Sequence, residues 1–361
     1  MRSLDEIRAS IDALDEQILQ LLSARARCAQ EVAEVKGKER ADGQVLFYRP
    51  EREAQVLRRV MAQNPGPLPA EQVGRLFREI MSTCLALEQP MRIAFLGPEG
   101  TYTHAAAYKH FGGAVTTAPL SSIDEVFREV EAGAAHYGVV PVENSTEGMV
   151  NHTLDSFMNS NLCIMGEVEL RIHHHLLIAE GTQVSSISRI YSHQQSLAQC
   201  RKWLDVHFPK AERVAVSSNA EAARRVRGEW HSAAIAGETA GRLYNLLSLH
   251  ANIEDDPNNT TRFLVIGADQ PASTGQDKTS ILVSVHNQSG ALYQVLEPFN
   301  RSGISLTRIE TRPSRTDLWS YVFFIDFEGH QDDAPVVAVL DELRTHAAEL
   351  KILGSYPKAI L

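Results

Sequence analysis

Arg25 and Lys36 stand eleven residues apart in a stretch whose apolar residues recur every three or four positions: Leu4, Ile7, Ile11, Leu14, Ile18, Leu21 and on through Cys28, Val32 and Val35. At 3.6 residues per turn, that separation leaves the two cations only about 20° apart around a long amphipathic helix with a coiled-coil-like seam. Arginine cannot neutralise itself by losing its proton, so one placed in a packed seam calls for an acidic partner or an anionic ligand. The plainer reading is an ion pair with a neighbouring helix that serves register alone.

The elements around this face favour the ligand. Residues 50–61 carry a helical pattern, and residues 70–88 carry another after the loop Asn64-Pro65-Gly66-Pro67-Leu68-Pro69, so residues 1–90 read as one long and two shorter helices. Three helices of such unequal length rarely enclose a core alone, and pairing with a second copy is expected. An all-helical dimer with inward arginines is a container for a polyanion.

The segment resembles the all-helical chorismate mutase domain of bifunctional phenylalanine-pathway enzymes. The resemblance rests on the ordered set Arg8, Arg25, Lys36, Arg52 and Glu53, the last two in Arg-Pro-Glu-Arg-Glu. It implies that Arg8 reaches into the partner's site while the others serve their own chain's site. Arg8, Arg25 and Arg52 would hold the two carboxylates of chorismate, and Glu53 would accept from its ring hydroxyl. Lys36 and residue 88 would stabilise charge on the breaking ether oxygen. Several relatives carry glutamine at that last position, whereas this chain has Glu88, which can donate only when protonated. Burial would raise its pKa and the surrounding cations would lower it, so the sequence leaves the balance open.

At 361 residues the chain has room for two or three domains, and a net charge of -10 argues against a nucleic-acid partner. Cys28, Cys84, Cys163 and Cys200 form no Cys-x-x-Cys pair, which suits reduced thiols in a cytosol. No apolar signal core and no membrane-length apolar run is present, so a cytoplasmic protein without a membrane partner is expected.

Past Gln89-Pro90 the pattern alternates strand and helix over roughly 92–268, which is α/β organisation. Gly97-Pro98-Glu99-Gly100 turns into a helix start with the hydroxyls of Thr101 and Thr103, a generic anion cradle. Glu143, Asn144 and Ser145 follow a buried strand, where open α/β sheets place ligands, although Asn144 or Ser145 would serve equally as a helix cap. Asn258 to Phe263 is a polar turn running into a strand. His173 and His175 would share a strand face, but no carboxylate or cysteine completes a metal site at usual spacing.

Gly-Pro-Glu-Gly-Thr-Tyr-Thr at 97–103, Val-Pro-Val-Glu-Asn-Ser-Thr-Glu-Gly at 140–148 and Thr-Thr-Arg-Phe at 260–263 resemble prephenate dehydratase, in that family's order. The resemblance implies two α/β lobes like those of periplasmic binding proteins, with the site in their cleft and the essential hydroxyl on Thr261. It also brings Ser192, Arg262 and Phe263 to the substrate. Gln194 stands where the family often has proline, which puts the local turn in doubt.

Residues 268–278 have linker composition. Beyond them the order is strand, helix, strand, strand, helix, strand over 279–361, with the second of the central strands expected at 319–327; this is a ferredoxin-like α+β order. It resembles the ACT regulatory domain, and Gly290-Ala291-Leu292 with Glu310-Thr311-Arg312-Pro313 matches the phenylalanine-responsive form, held between two subunits. The whole reads as a cytoplasmic homodimer or higher homo-oligomer of three domains, 1–90, 92–268 and 279–361. It would convert chorismate to prephenate and prephenate to phenylpyruvate, under inhibition by phenylalanine. Neither step calls for a cofactor or a metal. The competing reading is a non-enzymatic two-lobed sensor with an amino-acid-binding tail.

Overall fold

The computed structural model describes residues 2–38, 48–286, 288–313 and 321–361. Contacts divide the chain into two compact units, one holding the helical segment through Met91 with residues 111–116 and 360–361, the other holding 92–110 and 117–359.

The first unit is built on the helices Leu4–Lys38, Pro50–Ala62 and Ala70–Glu88. Pro50 opens the second helix, where its fixed φ is preorganised and its missing N–H costs nothing. Leu57 and Ala54 are buried under it. The first helix is different, for Ile11, Leu14 and Ile18 are 50%, 56% and 54% exposed.

The second unit contains three sheets. The first runs Thr116–Leu120, Arg92–Leu96, Tyr137–Asn144, Thr260–Gly267, Cys163–Arg171, and the second Leu247–His250, His175–Ile178, Ser232–Ala236, Arg189–His193, Glu212–Val216. The chain crosses between these two lobes twice, through residues 172–174 and 251–259. His173 and His174 lie in the first crossing and His175 starts a strand, so the expected shared strand face does not form. In register, Thr261 of the return strand stands opposite Asn144.

Residues 194–207 form two helices, Gln194–Gln199 and Arg201–His207. The Asp255 carboxylate accepts from the backbone N–H groups of Lys202 and Trp203, at 2.9 and 3.1 Å, capping the second helix from a distant loop. Gln194 occupies the first position of its helix, after the cap residue His193. That position favours proline without requiring it, so glutamine keeps the turn.

The third sheet has the order Leu306–Pro313, Tyr321–Glu328, Asp277–Val285, Glu349–Pro357, and its two helices, Ala291–Arg301 and Ala334–His346, complete the ferredoxin-like arrangement. The first residues of the strand expected at 319–327, Trp319 included, lie outside the described residues. The stretch of linker composition is pinned, because the buried Asp277 carboxylate accepts from Thr274 N at 2.7 Å, Thr274 Oγ1 at 2.6 Å and Gly275 N at 3.0 Å.

This sheet and the first lobe share one core, in which Val140, Phe157, Ile164 and Leu264 pack with Leu282, Phe324, Leu353 and Tyr356. A Cβ at Gly354 would stand 2.4 Å from Ile164 O, so the last strand passes the first lobe at a distance only glycine allows.

Candidate active sites

In the helical unit a cavity of about 630 Å³ lies between the three helices. Its described wall carries Arg25, Lys36, Arg49, Arg52 and Arg59 against the carboxylates of Glu53 and Glu88. The structure thus brings Arg25, Lys36, Arg52, Glu53 and Glu88 together. Arg8 is outside this group: its side chain is 67% exposed, with Asp5 at 3.7 Å. Arg49 and Arg59 escaped the sequence reading, although Arg52 and Arg59, seven apart, fall on one helix face.

Lys36 Nζ stands 3.7 Å from Glu88 Oε2, an ion-pair distance too long for a hydrogen bond, and Oε2 is buried with no donor among the described residues. Burial raises the Glu88 pKa, and the opposing pulls of Lys36 and then Arg25 do not cancel it. Burial also raises the pKa of Glu53, against Arg78, whose Nε lies 3.2 Å from Glu53 Oε1.

The second cavity, about 380 Å³, lies between the two lobes and is walled by the starts of three helices: Thr101, Tyr102 and Thr103; His193, Gln195 and Ser196; Ser217, Ser218 and Asn219. No arginine or lysine is on its described wall, and free N–H groups at helix starts supply the positive potential instead. Thr101 also caps its helix, its Oγ1 accepting from His104 N at 3.3 Å.

Thr261, Asn144 and Phe263 meet on the opposite wall with Asn259 and Gln199. Asn144 Oδ1 accepts from the backbone N–H groups of Thr146 and Glu147, at 3.0 and 3.1 Å, and backbone donors cannot reverse. The Asn144 amide nitrogen is therefore fixed, donating to Thr261 Oγ1 at 2.8 Å and Asn259 Oδ1 at 2.9 Å. The Thr261 oxygen accepts, and its own hydrogen has no acceptor among the described residues. Such a hydroxyl is set to donate into the cavity.

Four expected binding residues are not on this wall. Arg262 is turned to the far side of its strand, with Nε 2.9 Å from Glu167 Oε2 and Nη1 2.7 Å from Asp326 Oδ2. Burial would lower its pKa, but Tyr356, Asp326 and Glu167 outweigh burial and raise it. Glu143 pairs with Arg308. Ser145 pins the return strand, its Oγ accepting from Thr260 N at 3.0 Å. Ser192 is fully buried, with Oγ 2.9 Å from Oδ1 of the wall residue Asn219.

His173 Nδ1 lies 2.8 Å from Glu254 Oε1, a carboxylate brought from the second crossing. Among the described residues no group of three or more His, Cys, Asp or Glu side chains could hold a metal ion. Nor is any described helix long and apolar enough to cross a membrane.

In the third sheet's domain, Gly290 has φ 84° and caps the helix that starts at Ala291, while Leu292 is 40% exposed. Glu310 and Arg312 lie on the edge strand Leu306–Pro313, and Arg312 Nη2 grips both Asp155 oxygens, at 2.9 and 3.1 Å. The described residues thus hold a helical cavity rich in cations, a two-lobed cleft with a hydroxyl set to donate into it, and a ferredoxin-like domain joined to one lobe.

Comparison with known proteins agrees part by part. Residues 7–89 match chorismate mutase type II, 93–271 prephenate dehydratase and 279–345 the ACT domain. A bifunctional chorismate mutase/prephenate dehydratase of Pseudomonas aeruginosa is 62% identical over 359 residues, covering 99% of this chain and 98% of that one. The solved structure of prephenate dehydratase from Arthrobacter aurescens in complex with L-Phe is 36% identical, with a TM-score of 0.69, over 74% of this chain and 90% of that one. GqqA, described as a novel type of quorum quenching acylase, is 32% identical at the same TM-score of 0.69 over 74% of this chain and 98% of that one. The chain belongs to the bifunctional chorismate mutase/prephenate dehydratase family.

Proposed function

We propose that the helical cavity rearranges chorismate to prephenate and that the cleft converts prephenate to phenylpyruvate, water and carbon dioxide. The first reaction breaks an ether C–O bond as a C–C bond forms, with no nucleophile. Arg25 and Arg52 hold the carboxylates in the reactive geometry, Glu53 receives the ring hydroxyl, and Lys36 with protonated Glu88 stabilises charge growing on the ether oxygen.

In the cleft, carbon dioxide leaves with its bonding electrons retained by the ring, and the ring hydroxyl departs as aromaticity forms. One proton must reach that departing oxygen. The carrying observation is the 2.8 Å bond from Asn144 to Thr261, which leaves the threonine hydrogen free for that oxygen. The helix starts at Thr101–Thr103 and at Ser217–Asn219 receive the substrate's carboxylates.

The protein acts in the cytoplasm as a homodimer or larger assembly. The exposed apolar row of the first helix supports pairing, and exposed Arg8 would then complete the partner's mutase cavity. Phenylalanine, held at Gly290 to Leu292 and near Glu310 and Arg312, restrains the dehydratase.

The test is a pair of substitutions assayed for both reactions. Thr261→Ala should abolish phenylpyruvate formation while mutase turnover stays nearly intact, and Arg25→Ala should do the reverse. Loss of both reactions in either folded variant defeats the two-site assignment.

A further inference from the structure

His174 is 1% exposed and lies in the first crossing between the lobes, on the cavity wall. Its Nε2 is 2.9 Å from Gln199 Oε1, and its Nδ1 is 2.8 Å from the Tyr102 hydroxyl. The backbone donors that fix Asn144 also fix everything joined to it. Asn144 donates to Asn259 Oδ1, so the Asn259 nitrogen donates onward to Gln199 Oε1, at 3.2 Å. The Gln199 nitrogen then donates to Thr146 Oγ1 at 3.0 Å, and that hydroxyl donates back to Asn144 Oδ1 at 2.6 Å. Asn144, Asn259, Gln199 and Thr146 therefore form a closed ring in which every donor points the same way round.

Gln199 Oε1 is consequently an acceptor on its outer side too, and the imidazole must present a hydrogen there. Burial lowers the His174 pKa, which favours the neutral ring. A neutral ring with hydrogen on Nε2 leaves Nδ1 an acceptor, and the Tyr102 hydroxyl, which also lies 2.8 Å from the His173 backbone oxygen, has one hydrogen to share between the two acceptors. The contact with Gln199 therefore selects the tautomer with hydrogen on Nε2. The second crossing holds the same residue from its backbone, as Glu254 Oε2 accepts from His174 N at 2.9 Å.

We propose that His174 is a positioning residue for the dehydration, its Nε2–H holding Gln199 and, through the ring, keeping the Thr261 hydrogen free for the departing hydroxyl. His174 acts through Gln199 rather than on substrate. The proposal rests on the donor role given to Thr261, and the two fail separately. A Thr261→Ala protein with normal dehydration removes the donor role, whereas the proposal for His174 stands or falls on the following variants of the full chain.

His174→Leu should lower dehydratase kcat by about tenfold or more with little change in KM, since a lost orientation acts on turnover. Mutase turnover should not change. His174→Gln, whose amide nitrogen can take the place of Nε2 and donate to Gln199, should recover most of the loss. In a Gln199→Leu background, His174→Leu should cost little further, because the partner it orients is gone. Losses that simply multiply in the double variant, or a His174→Gln protein as impaired as His174→Leu, overturn the proposal. So does an unchanged kcat in His174→Leu.

Discussion

Arg262 Nη1 stands 2.7 Å from Asp326 Oδ2, which ties the residue after Thr261 to the middle of the regulatory sheet. Arg308 of that sheet's edge strand likewise pairs with Glu143, the residue before Asn144, and stands 3.9 Å from the same Asp326 oxygen. The two strands that carry Thr261 and its partner Asn144 are thus each held by the ACT domain. Asp326→Ala would leave Arg262 a buried cation sharing Glu167 with Lys278, a loss of about 3–5 kcal/mol. Denaturant unfolding should show this destabilisation in the dehydratase unit, and dehydratase activity should fall while mutase activity persists. A variant as stable as the parent would show that the pair contributes nothing net.

The role proposed for Glu88 predicts a pH dependence of the mutase reaction with a defined sign. Burial raises its pKa, so it remains protonated above the ordinary carboxylate range and loses its hydrogen as pH climbs through the raised value. Mutase kcat should therefore fall on the alkaline side of that titration. Glu88→Gln supplies an amide hydrogen at every pH and should flatten the profile. An unaltered profile in that variant places the residue outside the chemistry.

The two cavities proposed to bind prephenate, as product and as substrate, differ in how their walls are charged. The mutase wall uses Arg25, Lys36 and Arg52, whereas the described dehydratase wall has neither arginine nor lysine. Added salt screens mobile full charges reaching for a ligand more than short-range donors at helix starts. The mutase KM should rise several-fold more steeply with ionic strength than the dehydratase KM. Parallel slopes would contradict this division.

Removing residues 279–361 should abolish phenylalanine control, but it also uncovers Val140, Phe157, Ile164 and Leu264. Lower thermal stability is expected with it. Gly290→Ala leaves that core intact and instead strains a backbone at φ 84°. It should weaken phenylalanine binding by about tenfold in calorimetry, with uninhibited turnover near normal. Unchanged binding would move the effector away from this turn.

Much of the architecture is legible in the chain because periodicity and punctuation are local. The three N-terminal helices and the ferredoxin-like order announce themselves this way, whereas the strand from Tyr137 runs on to Asn144, so that Glu143 and Asn144 lie in it rather than after it. Alternation along the strand, with Thr261 on the cavity side, would have turned Arg262 away, but the resemblance brought it to the substrate and the structure does not. Gln199, His174 and Asn259 were not, because their chemistry exists only where three distant segments meet. The break at Cys200 escaped for a similar reason, its cause being a carboxylate 55 residues further on.

The bare apolar row on the first helix carries a genetic consequence. If Arg8 serves the neighbouring cavity and Arg25 its own, a lesion at Arg8 spares the chain that bears it and disables its mate. A mixed pair of Arg8→Ala and Arg25→Ala chains then concentrates both faults in one cavity and leaves the other whole. Two inactive proteins would complement each other on exchange, recovering about a quarter of the mutase sites at random mixing, so ownership of that site belongs to the pair rather than to either polypeptide.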